Sequence, residues 1–264
     1  MTPEQFTRNF SMPAGAPLYD APPYIYRGVQ DMMITYEADA ETVSELLPPH
    51  LELADSPAVC IAWARWVPWS SFGPYHEAYV MVRVKFAGTT YLYQPVIVVD
   101  NEVPLGAGRE IWGYAKKMAR FTRGWGDSTR GFGEQLLFRV ERPVGQPLMT
   151  ASMVSDRRAS PEELGPALPV LSCRVIPAAE ADAPPSVAQL VRLDVTAHLH
   201  HGADGEPELY AGRSRLALDG GAADPWHLLA PQRVLDGHFG IFDFDLGHGK
   251  VVHDYLNDPD LWSR

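Results

Sequence analysis

Lysine is scarce in this sequence. Of 22 basic residues only Lys85, Lys116, Lys117 and Lys250 are lysine; the other 18 are arginine. Acidic residues number 33, so the net charge is −11. That balance excludes a surface built to displace counterions from phosphates, and no nucleic-acid partner is expected. Cysteine is rarer still. Cys60 and Cys173 are the only two, and neither has a Cys or His at metal-ligand spacing. They exclude a disulfide framework and read as free thiols of a cytoplasmic protein. No apolar run approaches the ~18 residues of a membrane span. The start, MTPEQFTRNF, lacks the basic-then-apolar pattern of a signal peptide. No membrane partner is expected.

What is present is a core. With 264 residues, 46% apolar and 11% aromatic, the chain can bury a large apolar interior. Residues 1–24 are rich in Pro and Gly and read as an N-terminal arm. Met32 to Tyr36 predicts a strand, and Asp39 is placed to cap a short helix over 40–47, ended by Pro48-Pro49. Val59 to Val67 is one apolar run. Ala78 to Phe86 alternates, with Tyr79, Met81, Arg83 and Lys85 on one face and Val80, Val82, Val84 and Phe86 on the other. Gly88-Thr89 predicts a hairpin into a strand over 90–99. Val103 to Trp112 reads as a helix that Gly113 stops. Further strands are expected over 121–125, 132–141, 148–153, 172–176, 187–200, 209–218, 234–246 and 251–255, with 178–185 as the best linker candidate. Many antiparallel strands with few helices favour a closed barrel or a large sandwich.

The segment Gly108-Arg109-Glu110-Ile111-Trp112-Gly113-Tyr114-Ala115-Lys116-Lys117-Met118 holds two of the four lysines. Arginine stays protonated, whereas lysine can become a nucleophilic amine. An ordinary lysine pKa near 10.4 leaves only roughly one amine in a thousand free at neutral pH. An adjacent ammonium and an apolar pocket both disfavour the charged form. The free amine condenses with a ketone, and the resulting iminium is an electron sink for a neighbouring carbanion.

This segment, preceded by Asp100-Asn101-Glu102, resembles the signature of the acetoacetate decarboxylase superfamily. Activated-lysine chemistry is that family's device. Pro23-Tyr24, Pro74-Tyr75-His76-Glu77 and His253-Asp254-Tyr255-Leu256 extend the likeness over nearly the whole chain. The resemblance implies one domain over 1–264. It implies a mainly β (α+β) fold, an antiparallel cone-like closed β-barrel with a few short helices, assembled into a homo-oligomer. It implies no external cofactor and a small keto-acid substrate. Lys116 would form the Schiff base, Lys117 would raise the local positive potential, and Glu77 would move or orient protons. Arg109 and Glu110 would form an ion pair behind them.

The chain also departs from the pattern. Where the decarboxylases carry an arginine for the substrate carboxylate, this sequence has Val29. A second glutamate is expected near Ala62, and Trp112 stands where a small residue is usual. Gln94 and Tyr255 are further polar candidates for the pocket. Decarboxylation of a 3-oxo acid other than acetoacetate is the favoured reading. A pyruvate-dependent aldolase-dehydratase and a non-catalytic small-ligand barrel are the alternatives. No metal is expected: His198, His200 and His201 have no carboxylate or cysteine at a confirming spacing.

Overall fold

A computed structural model describes residues 2–8, 10–124 and 135–262. Among them lie the strands β1 (Tyr24–Ala38), β2 (Glu52–Leu53), β3 (Ala58–Val67), β4 (Trp69–Ser70), β5 (Tyr75–Phe86), β6 (Thr89–Val99), β7 (Lys116–Met118) and β8 (Arg120–Arg123). The second half supplies β9 (Gln135–Glu141), β10 (Pro147–Arg158), β11 (Val170–Ile176), β12 (Val187–Leu193), β13 (Ala197–Leu199), β14 (Leu209–Leu218), β15 (Pro231–Leu246) and β16 (Lys250–Asp254). Helices are short: α1 (Pro3–Arg8), α2 (Ala40–Ser44), α3 (Glu102–Ala107) and α4 (Pro259–Trp262). None is long and apolar enough to cross a membrane.

All strands belong to one sheet, in the order β16-β12-β11-β6-β5-β3-β1-β15-β14-β10-β9-β8. β13 pairs with β15, β2 with β5, β4 with β1 and β7 with β6. Pairing is antiparallel except at β6–β7 and β6–β11. The mainly antiparallel expectation holds. The expected closed ring is not seen, because the two ends of the ladder, β16 and β8, are not paired among the described residues. Parts of the expected strands 121–125 and 132–141, at Trp125 and Phe132 to Glu134, lie outside the described residues.

Local chemistry explains the elements. The Asp39 carboxylate accepts from Glu41 N and Thr42 N, satisfying amides that the first turn of α2 leaves open. That helix ends at Ser44, short of the expected 47. Ala87 and Gly88 carry φ of 48° and 78°, the two left-handed positions of a tight hairpin, and join β5 to β6. The turn falls one residue earlier than expected. After α3 the chain continues as a π-helical turn over Gly108–Trp112, closed by Gly113 N donating to Gly108 O. Gly113 has φ +84°, and a Cβ there would meet the Arg174 backbone at 2.3 Å, so only glycine fits. The expected strand 187–200 is broken into β12 and β13, and the candidate linker 178–185 is the loop between the paired strands β11 and β12.

The two faces of the sheet bury different things. Ala58, Cys60, Ala62 and Ala64 of β3 and Ala78, Val80, Val82 and Val84 of β5 enter the main core with Tyr36, Phe138 and Trp226. The alternate residues Trp63, Tyr79 and Met81 pack on the opposite face. The period of two that β5 shows in sequence is the period of its burial.

Candidate active site

Strand register gathers charge on that second face. Asp31 of β1 lies opposite Arg65 of β3, and Arg65 lies opposite Glu77 of β5. Directly opposed residues share a face, so the three side chains form a row across three strands. β7 runs parallel to β6 with Lys116 opposite Ile97, an apolar residue of the same face. Lys116 Nζ thereby comes within 2.7 Å of Glu77 Oε1. Arg65 Nη1 stands 3.7 Å from Glu77 Oε2. Its Nε and Nη2 donate to the two Asp31 oxygens at 2.7 and 2.8 Å.

The charges alternate, Asp31, Arg65, Glu77, Lys116, and sum to zero. Asp31, Glu77 and Lys116 are only 1%, 4% and 6% exposed. Such burial is tolerated because each charge has a partner, and removing one member would strand the next. Burial pushes the Asp31 carboxyl up, against the pull of the Arg65 guanidinium. Burial also opposes the Arg65 charge, but the Asp31 and Glu77 carboxylates outweigh it and hold that guanidinium above its ordinary range.

Aromatic rings wall the row. Lys116 Nζ lies 5.7 Å from the Tyr75 ring centre and 5.9 Å from that of Tyr114. The Arg65 guanidinium is 5.1 Å from Phe244 and 5.4 Å from Tyr79. Tyr75 donates to the Tyr26 hydroxyl at 3.4 Å. Burial pushes the phenols of Tyr26, Tyr75, Tyr79 and Tyr114 up, with the Glu77 charge adding to it. All four therefore stay neutral and keep a proton to donate. A surface groove of about 490 Å³ along β10, β14 and β15 is a separate feature, lined by none of these residues.

The loop before Lys116 is fitted to it. A Cβ on Gly108 would stand 2.6 Å from Lys116 Cδ, so the glycine makes room for the lysine stem. Arg109 Nη1 donates to Lys116 O at 3.1 Å. Glu110 accepts from the Tyr19 hydroxyl and, through its backbone oxygen, from Arg174. Arg109 and Glu110 hold these partners at the lysine turn, and the expected ion pair between the two is not seen among the described residues.

Other expected site residues separate. Lys117 lies opposite Val98 of the main core face, and its Nζ pairs with Asp224 at 2.9 Å and donates to Ala223 O. Strand alternation turns it away from Lys116, which corrects the expectation of a shared positive site. Val29 and Trp112 are buried together with Tyr26 and Tyr75, adjoining the charged row. Trp112 is fixed by its Nε1 donating to Gly247 O at 3.0 Å. Ala62 faces the main core, on the other side of the sheet. Tyr255 is on that side too, donating to Pro49 O at 3.1 Å. Gln94 is buried at the β6 bulge, with its Oε1 unpaired. His200 pairs with Asp243 at 2.6 Å, and no ligand set gathers around His198, His200 and His201 among the described residues.

Sequence reasoning missed Asp31 and Arg65. The available signal was a charge inside each of two apolar strands, Met32 to Tyr36 preceded by Asp31, and Val59 to Val67 interrupted by Arg65.

Known proteins resemble this chain over nearly its whole length. The family model for acetoacetate decarboxylase (ADC) matches residues 11–256. Acetoacetate decarboxylase 1 of Mesorhizobium japonicum is 30% identical over 249 residues, 94% of this chain and 95% of that one. The crystal structure of acetoacetate decarboxylase from Legionella pneumophila has a TM-score of 0.79 and 28% identity, covering 94% of this chain and 95% of that one. The enduracididine biosynthesis enzyme MppR complexed with pyruvate shares the fold alone, with a TM-score of 0.73 and 22% identity over 94% of this chain and 98% of its own. Fold and relatives together define an enzyme, a carbon–carbon lyase of decarboxylase type. The chain belongs to the acetoacetate decarboxylase family.

Proposed function

We propose that the protein decarboxylates a 3-oxo acid through a Schiff base on Lys116. The observation that carries this reading is the buried Lys116–Glu77 pair at 2.7 Å, with Arg65 beside it. Glu77 is the base within reach of the Lys116 ammonium proton. The freed amine attacks the ketone carbon, and the carbinolamine takes up a proton and loses water to give the iminium. The bond between the carboxylate carbon and C2 then breaks. Its electron pair moves into the iminium, CO₂ leaves, and an enamine remains. Protonation at carbon and hydrolysis release the shortened ketone and restore the amine. The iminium supplies the electron sink, so the reading needs no cofactor.

Arg65 is the group suited to the substrate carboxylate, the role for which Val29 offers nothing. Two of its nitrogens are committed to Asp31, and Nη1 faces Glu77 at 3.7 Å, beyond hydrogen-bond length. Nη1 can orient a carboxylate. Because Asp31 already balances the guanidinium charge, that carboxylate is not held so tightly that loss of CO₂ is opposed.

The test separates the two roles. Arg65→Gln is expected to lower kcat/KM for 3-oxo acids about 100-fold, the scale of one charge-assisted contact. It is expected still to form a borohydride-reducible adduct with acetone, which has no carboxylate. Equal turnover in Arg65→Gln contradicts the carboxylate role. Failure of the unaltered enzyme to release CO₂ from any 3-oxo acid, with an enone formed from pyruvate and an aldehyde, would replace decarboxylation by aldol chemistry at the same lysine.

A further inference from the structure

On the face of the sheet away from Lys116, three side chains from distant parts of the chain converge. His50 follows α2, His253 lies on β16, and Asp258 precedes α4. His50 Nε2 is 2.5 Å and His253 Nε2 is 3.0 Å from the same oxygen, Asp258 Oδ2. The three ligand atoms all lie within 4.8 Å of one another. We propose that His50, His253 and Asp258 form a binding site for a divalent transition-metal ion, zinc in the first instance.

The chemistry fits. Both Nε2 atoms now share a proton with Asp258; an ion that displaces those protons meets two imidazole nitrogens and one carboxylate oxygen converging on one point, a donor set that suits zinc and its first-row neighbours. Bonds of about 2.0–2.1 Å at a tetrahedral angle put ligand atoms about 3.3 Å apart. The observed 2.5 and 3.0 Å need only a small opening to admit an ion. Asp258 is 5% exposed, whereas His50 and His253 are 36% and 25% exposed at their side chains, so water can complete the shell from the solvent side.

The rings are also held in place. His50 adopts φ +68°, a left-handed backbone that a non-glycine residue rarely takes without a constraint. Its ring lies parallel to that of Tyr255, at 5° and 6.3 Å, and Tyr255 is itself tied to Pro49 O. His253 packs edge-on to His50 and Phe86. An ion here would clip the C-terminal turn to the loop after α2, and its contribution would be to stability.

The test uses the full chain without a histidine tag. Elemental analysis after dialysis against zinc should find one ion per chain. Thermal melts should rise by roughly 5 °C at zinc a hundredfold above Kd. The cobalt-loaded protein should show the visible bands of a four-coordinate site. His253→Gln should lose all three signals, and so should His50→Gln, which alters a partly exposed loop residue and leaves the core intact. Absence of bound zinc together with unchanged melting overturns the proposal. So does undiminished binding in both variants, which would put the ion elsewhere, such as at His198 to His201.

Discussion

Gly108 sets the space available to the Lys116 side chain. A Cβ there would crowd Lys116 Cδ and Cε at 2.6 and 2.8 Å, and the stem would have to move. A misplaced nucleophile loses activity steeply even when the fold survives. Gly108→Ala is therefore expected to lower kcat about tenfold or more while circular dichroism stays unchanged; full activity would mean the lysine has slack that the packing does not suggest. At this scale the sequence singled out Lys116 by its rarity and its aromatic segment and Glu77 by the family resemblance, and the structure brings the two within 2.7 Å. Asp31 and Arg65 were hidden because their meaning lies in the opposition of β1, β3 and β5, and register across strands is not written in either strand alone.

Elements decide which way a side chain points. In β7 the alternation sends Lys116 to one face and Lys117 to the other, where Asp224 also takes Arg142 at 3.1 Å. Lys117→Gln should lower Tm by about 3 °C, the shift for a partly exposed pair worth about 1 kcal/mol. The pH dependence of borohydride trapping should not move. A raised trapping pH would restore Lys117 to the electrostatics of the amine.

In β15 burial pushes the His238 imidazole down. A depressed folded pKa favours the neutral ring, so its contribution is present above the unfolded value near 6.5 and is lost as pH falls through the folded one. Melts between pH 7.5 and 5 should lose more stability in the unaltered protein than in His238→Asn; parallel curves would contradict this. Element type was largely readable, as the Asp39 cap, the two-faced β5 and the Gly113 stop illustrate. The π-helical form of 108–112 was not, because it follows from one bond closing on Gly108.

Among the described residues every strand joins one sheet, and its two faces bury different groups. One buries the main apolar core, and the other carries a neutral row of four charges walled by tyrosines. The antiparallel plan followed from alternation and turns. Strand order did not, since β6 meets β11 and β15 meets β1 across long stretches of chain. Neither did the convergence of His50 with Asp258, which local spacing cannot signal.

The most direct test of the account is where a ketone becomes attached. Acetone and borohydride, followed by intact mass and peptide mapping, should give a single adduct on Lys116, absent from Lys116→Arg. An adduct on Lys117, or one that persists in Lys116→Arg, would contradict the assignment of the buried lysine as the nucleophile.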